Sequence, residues 1–189
     1  MKLKLLCVIA VMLFKDAAWA FPSGAGTCDV VDDFSTITSM FSRTRNQNPG
    51  GYELSSDVMT YNPFEHVELT LTATGPGDQA QFTGIVVSVV DENGDKVGTF
   101  DFNTETAVRD CDGSAMMAAT HTSSHGSVNS RTLFWVPPSE TVGDVYVLAY
   151  VLSGERGNQS SQEFYRLVRN DGAITIEEDL DVIYLSGFE

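Results

Sequence analysis

A few small groups of residues in this chain have the types and spacing that could carry chemistry. Asp91, Asn93 and Asp95 alternate as the first ligands of a calcium loop do. An EF-hand also needs Gly at its sixth position and a bidentate Glu at its twelfth, and Lys96 and Phe102 stand there. The stretch is therefore read as a turn, with weak, irregular Ca²⁺ association as the one metal expectation left. His121 and His125 have a zinc-like separation, but no Cys pair accompanies them. His121 is read as a structural residue bonded to a neighbouring carbonyl. No Gly-x-Ser-x-Gly elbow, phosphate loop or dinucleotide fingerprint occurs. Carboxylates are plentiful, but nothing singles out one pair for glycosidase chemistry. The expectation is a protein without catalytic residues, resident metal or cofactor, and so not an enzyme.

Two covalent features depend on export. Lys2 and Lys4, the apolar run Leu5 to Phe14, and the small-residue end Ala18-Trp19-Ala20 make residues 1–20 a secretory signal peptide. The apolar run is too short to span a bilayer, and Lys15 and Asp16 follow it. Cys7 leaves with the signal, so Cys28 and Cys111 remain, an even pair in an oxidising compartment that should form one disulfide. Such a bridge closes a loop of more than 80 residues. In the chain-entropy model it contributes about 4–5 kcal/mol. Asn158-Gln159-Ser160 is a glycosylation sequon in a polar loop, with Asn158 as acceptor.

The full chain of 189 residues carries a formal net charge of −15. Removing the signal's three Lys and one Asp leaves 8 basic and 25 acidic residues, a net of −17. That balance argues against nucleic acid and anionic membrane surfaces as partners and favours solubility.

The elements that must position these residues read as strands. The stretch from Phe82, FTGIVVSVVDENGDKVGTF, is rich in β-branched residues, which suit a pleated surface. Its continuous apolar run predicts burial on both faces. Asn93-Gly94 predicts a hairpin with a type I′ turn that folds Val97-Gly98-Thr99-Phe100 back on the first strand. Tyr52-Glu53-Leu54 opens a first edge strand. From His66, Val67, Leu69 and Leu71 face one way, and His66, Glu68, Thr70 and Thr72 the other, as in a strand with one wet face. Gly75-Pro76-Gly77-Asp78 ends it. Met116 to Thr122, Leu133 to Val136, Val145 to Leu152 and Glu163 to Val168 are further strands, and Thr104 to Gly113 is read as a polar connection. Pro137-Pro138 stops one strand because proline cannot donate to a ladder. Trp135, set among Leu133, Phe134 and Val136, is read as buried against Cys28–Cys111 rather than as an exposed ligand platform.

The class is all-β: an immunoglobulin-like antiparallel sandwich of seven to nine strands with one disulfide. The division is signal 1–20, β-sandwich domain 21–169 and an acidic C-terminal segment 170–189. In that last segment Asp171, Glu177, Glu178, Asp179 and Asp181 alternate with apolar residues and no Lys or Arg. It is read either as an extra strand pair or as a tail that docks on a partner.

In order along the chain stand Gly24-Ala25 before Cys28, Tyr52-Glu53-Leu54, Tyr61, the strand His66 to Ala73, and Phe82-x-Gly84. Then come Val97-Gly98-Thr99-Phe100, Cys111, Ala119-Thr120-His121-Thr122, Phe134-Trp135-Val136-Pro137-Pro138 and Val145 to Leu152. This ordered set, from about Gly24 to about Val168, resembles the reelin-type, or reeler, domain. That family is an extracellular β-sandwich of reelin, the spondins and ferric-chelate-reductase-like membrane proteins, and it also stands alone in secreted insect defence proteins. The resemblance implies a structural core that includes Phe82, Gly84, Phe100, His121 and Trp135, and no catalytic residues. It implies a secreted recognition protein that binds microbial or other glycan-bearing surfaces in innate defence. The chain's acidity argues against the heparin-like polymers linked to the spondin copies. The alternative is an acidic extracellular-matrix protein that holds Ca²⁺ or assembles with other secreted chains.

Overall fold

The computed structural model describes residues 25, 28, 30, 44–63, 65–103, 106–111, 114–122, 127–155 and 160–179, with backbone alone at 109–111 and 114. Eleven strands occur among them: β1 (Tyr52–Ser56), β2 (Thr60–Tyr61), β3 (Val67–Ala73), β4 (Phe82–Val90), β5 (Thr99–Asp101), β6 (Thr106–Cys111), β7 (Ser114–His121), β8 (Ser130–Val136), β9 (Val145–Ser153), β10 (Phe164–Leu167) and β11 (Ile174–Glu178). They form a four-stranded sheet, β1-β3-β8-β5, and a seven-stranded sheet, β2-β11-β9-β4-β7-β6 with β10 also on β9. The expectation of seven to nine antiparallel strands is thus corrected to eleven, with a parallel pair, β11 and β2. One extra strand is β6, inside the stretch read as a polar connection; Thr106 to Arg109 pair with β7 as its outer neighbour.

The inner faces of the two sheets share one core. Leu69, Leu71, Leu133, Trp135 and Phe100 from the smaller sheet meet Ile85, Val87, Val89, Val145, Val147 and Val151 from the larger. A side chain of this size contributes about 1.5–3 kcal/mol when it leaves water, so the alternating residues of β3, β4, β8 and β9 hold the layers together. The other face of β4 and β9 is covered as well. Val86, Val90, Leu148, Tyr150 and Leu152 pack with Ala25, Val30, Phe164 and Val168 in a second apolar cluster. Here lies the reason for the unbroken apolar run in β4: one face meets the opposite sheet, and the other meets the leading segment of the chain.

Two backbone contacts fasten that segment. The Ala25 N–H donates to Thr120 Oγ1 at 2.7 Å, and Ser88 Oγ donates to the Cys28 carbonyl at 3.2 Å. Thr120 Oγ1 itself donates to the Ile85 carbonyl at 2.8 Å, joining the segment, β7 and β4 through one hydroxyl.

The hairpin expected from Asn93-Gly94 closes and then separates. Asp91 N–H donates to the Asp95 carbonyl and Val97 N–H to the Val89 carbonyl, but β5 then pairs with β8 in the other sheet. β4 has no free edge, because β9 and β7 already flank it. The turn is not type I′ either. Gly94 has φ +91° while Asn93 keeps a negative φ, and Gly94 N–H donates to the Asp91 carbonyl at 3.1 Å. Three turn residues ending in a left-handed glycine form the common bulged alternative.

The acidic C-terminal stretch contributes a strand. β10 pairs with only Ala149 to Leu152 of β9, leaving Val145 to Val147 free for Ile174 to Ile176 of β11. Ile176 is fully buried. The sequence is read as a strand pair or a docking tail; the stretch forms one strand, β11, as far as Glu178.

Candidate functional site

The core residues singled out in the sequence fall into two constellations, both structural. Trp135 is fully buried, set edge-on against Tyr61 at 5.4 Å, and its Nε1 donates to the Val97 carbonyl at 3.1 Å. A Cβ on Gly98 would lie 2.4 Å from that nitrogen and 2.5 Å from the Val136 carbonyl oxygen. Gly98, at φ +67°, is therefore where the chain leaves the β4 side and crosses to β8 over the indole. Phe100 is buried beside it in the same core. The expectation that Trp135 packs against the Cys28 bridge is corrected: Trp135 lies between the sheets, while Cys28 packs with the cluster on the far face of the larger sheet. The alternating pleat of β4 separates the two places.

His121 and Gly84 form the second constellation. Ile85 N–H lies 3.2 Å from His121 Nδ1, where the β4–β7 ladder has stopped at Val86 and Thr120. The imidazole thus extends the ladder by one side-chain bond. Its ring needs the bare backbone of Gly84, where a Cβ would come 3.3 Å from both His121 Cε1 and Leu152 Cβ. The expected partner of His121 is a neighbouring carbonyl; the His121 Nδ1 lies 3.2 Å from the Ile85 N and 3.3 Å from the Ile85 carbonyl oxygen. Phe82 is buried, with its ring 6.2 Å from Tyr52.

Cys28 is partly buried, and its carbonyl accepts from Ser88 Oγ. The side chain of Cys111, together with Asn158 and His125, lies outside the described residues. Among the described residues no three of His, Cys, Asp and Glu gather to hold a metal. In the Asp91–Asp95 turn, Asp91 Oδ1 accepts from the N–H of Asn93 and of Asp95, at 2.8 and 2.9 Å. Arg169 donates to the carbonyls of Asp91 and Glu92 while lying 4.6 Å over the Tyr146 ring. This carboxylate serves its own turn, and the guanidinium takes the turn's carbonyls.

Burial pushes the Tyr61 hydroxyl up to about 12, with nearby Glu178 adding to the rise. Tyr61 donates to the Gly143 carbonyl at 2.8 Å, and Gly143 N–H donates to Glu178 at 3.2 Å. Tyr165 is likewise raised to about 12 by burial, followed by its bond to Glu163. These phenols hold loop ends against the sheets as neutral donors.

Among the described residues, the outer face of the smaller sheet carries mainly polar side chains. By register its rows are Glu53–Thr72–Ser130, Ser55–Thr70–Thr132, and Glu68–Phe134–Asp101. Phe134 is only partly buried, Glu68 is exposed, and Asp101 is about half exposed, with its Oδ2 3.2 Å from His66 Nδ1. Phe102, one residue beyond β5, is 71% exposed. The alternation in β3 already marked Glu68, Thr70 and Thr72 as solvated. The neighbours Phe134 and Asp101 were missed, because pairing of β3, β8 and β5 carries no short-range signal.

The domain model that matches the chain is the Reeler domain, over residues 35–175. The chain belongs to the Reeler family. The crystal structure of the human F-spondin reeler domain (fragment 1) matches this Reeler domain with a TM-score of 0.57 at 19% identity, covering 74% of this chain and 97% of that one. The Reelin-N domain of F-spondin matches with a TM-score of 0.53 at 19% identity, covering 72% and 92%. No curated protein matches the chain in sequence. No helix among the described residues is long and apolar enough to cross a membrane.

Proposed function

We propose that this Reeler domain is an extracellular recognition module, exported by its signal peptide, that contacts its target through the outer face of the β1-β3-β8-β5 sheet. We read it as an immunoglobulin-like sandwich whose Cys28–Cys111 disulfide ties the leading segment to the end of β6. Its role is binding rather than catalysis, and its target is a microbial or other glycan-bearing surface.

The observation that carries this reading is the difference between the two outer faces. That of the larger sheet is apolar and packed with Ala25, Val30 and Phe164. That of the smaller sheet presents hydroxyls, carboxylates and a partly exposed ring. Hydroxyl and carboxylate oxygens beside an aromatic face are a combination that binds sugars. The matrix alternative holds Ca²⁺ or assembles with other secreted chains; for the Ca²⁺ form the patterned turn offers little, since Asp91 accepts from its own turn and Arg169 takes the carbonyls.

The test is capture of the purified mature chain on bacteria, β-glucan and chitin. Binding above that of an unrelated acidic protein is expected, with loss in the triple variant Glu68→Gln, Phe134→Leu, Asp101→Asn. Capture no better than the acidic control overturns the reading.

A further inference from the structure

We infer that the row Glu68–Phe134–Asp101 is a seat for a cationic side chain, and that the partner it fits is a Lys- or Arg-rich polypeptide segment. This rests on the reading of that sheet face as the contact surface, and gives this one row a basic polypeptide occupant in addition to the glycan target read for the face as a whole.

The three residues are register partners on adjacent strands, Phe134 on β8 between Glu68 on β3 and Asp101 on β5. Strands lie about 4.8 Å apart, so the two carboxylate-bearing positions straddle the phenyl ring over ~10 Å. A guanidinium or ammonium above an aromatic face is attracted by the ring quadrupole. Carboxylates on both sides add charge-assisted bonds to the same cation. Asp57 extends the row, since its N–H donates to the Glu68 carbonyl and its Oδ1 accepts the Glu68 N–H at 2.9 Å.

The face supplies no cation of its own among the described residues apart from His66, beside Asp101. Arg131 lies on β8 but is buried, alternating with the outward Ser130 and Thr132. Arg45, Arg166 and Arg169 belong to the other sheet's side, bonded at Phe164, Gln47 and the Asp91–Glu92 turn. Lys96 bridges by its backbone to Val90 of the larger sheet. Among the described residues the charge carried on this face is thus mainly carboxylate, and charge complementarity selects a basic partner. Next to the row, hydroxyls of Ser55, Thr70 and Thr132 offer acceptors for the partner's remaining N–H groups.

The test is fluorescence anisotropy of a labelled oligo-arginine peptide with the intact mature chain at low and physiological salt. Glu68→Gln with Asp101→Asn should weaken binding about tenfold. Phe134→Leu should weaken it about fivefold with the melting temperature retained. The matched control Glu92→Gln with Glu140→Gln removes the same charge elsewhere and should change affinity less than about twofold. Equal loss in the control, or no loss with Phe134→Leu, overturns the seat, because general acidity then explains the binding. If a glucosamine polymer binds through this row while oligo-arginine does not, the cationic-polypeptide assignment falls and the recognition face stands. If neither surface capture nor peptide binding responds to the row, both fall.

Discussion

The indole N–H of Trp135 donates to the carbonyl of Val97 at 3.1 Å, directly beneath a glycine that has no room for a side chain. One bond links the last point where the chain still pairs with β4 to the strand that receives it in the opposite sheet. It explains why Val97-Gly98-Thr99-Phe100 and Phe134-Trp135-Val136 occur together in this chain.

Gly98→Ala should therefore be costly. Its Cβ meets both the indole and a backbone oxygen at a positive φ, a combination of strain and overpacking of about 2–4 kcal/mol. Urea unfolding is the measurement, and an unchanged midpoint would contradict the account. Because the two residues touch, Gly98→Ala with Trp135→Phe should cost less than the sum of the single changes.

The ladder extension at His121 makes a separate prediction. His121→Ala leaves the Ile85 N–H without its side-chain acceptor, at about 1–3 kcal/mol. Gly84→Leu drives carbon into the same imidazole and into Leu152, at about 1–3 kcal/mol. Hydrogen exchange at Ile85 should accelerate in both variants; protection equal to the parent's would show that the bond contributes nothing.

Stability at alkaline pH should reflect the buried phenols. Tyr61 and Tyr165 are held up to about 12 against an ordinary value of 10, so the folded state keeps protons that the unfolded chain releases. Their stabilisation is complete below pH 10 and declines as pH rises through about 12. Tyrosinate absorbance should show Tyr61 ionising earlier in Glu178→Gln, which removes the neighbouring carboxylate that adds to the rise. No change between the two proteins would remove Glu178 as a cause.

Pairing of Cys28 with Cys111 is checked by mass mapping of an unreduced digest. With that bridge, Cys111→Ser should lose about 2–5 kcal/mol of stability. Adding Cys28→Ser should cost little more. A peptide linking Cys28 to any other sulfur would refute it.

Much of the strand order was legible because it rests on local periodicity. Val67, Leu69 and Leu71 alternate with polar neighbours, and the structure buries all three. The run in β4 was legible as doubly buried, although what covers it, Ala25 and Val30, lies more than 50 residues away. β6 was not read as a strand, since a short edge strand with half its residues polar carries no strong apolar pattern.

The sequence alone determined the β class, the strand bodies and the burial of Trp135, because side-chain alternation and β-branching act over a few residues. Tertiary structure decided which strands become neighbours. The turn at Asn93-Gly94 closes locally, yet with both edges of β4 occupied, β5 pairs with β8 instead. That crossing places Asp101 beside Phe134, and with it the chemistry of the outer face. Strand pairing depends on which edges remain open once the core has formed, a competition among distant segments that no short stretch of chain encodes.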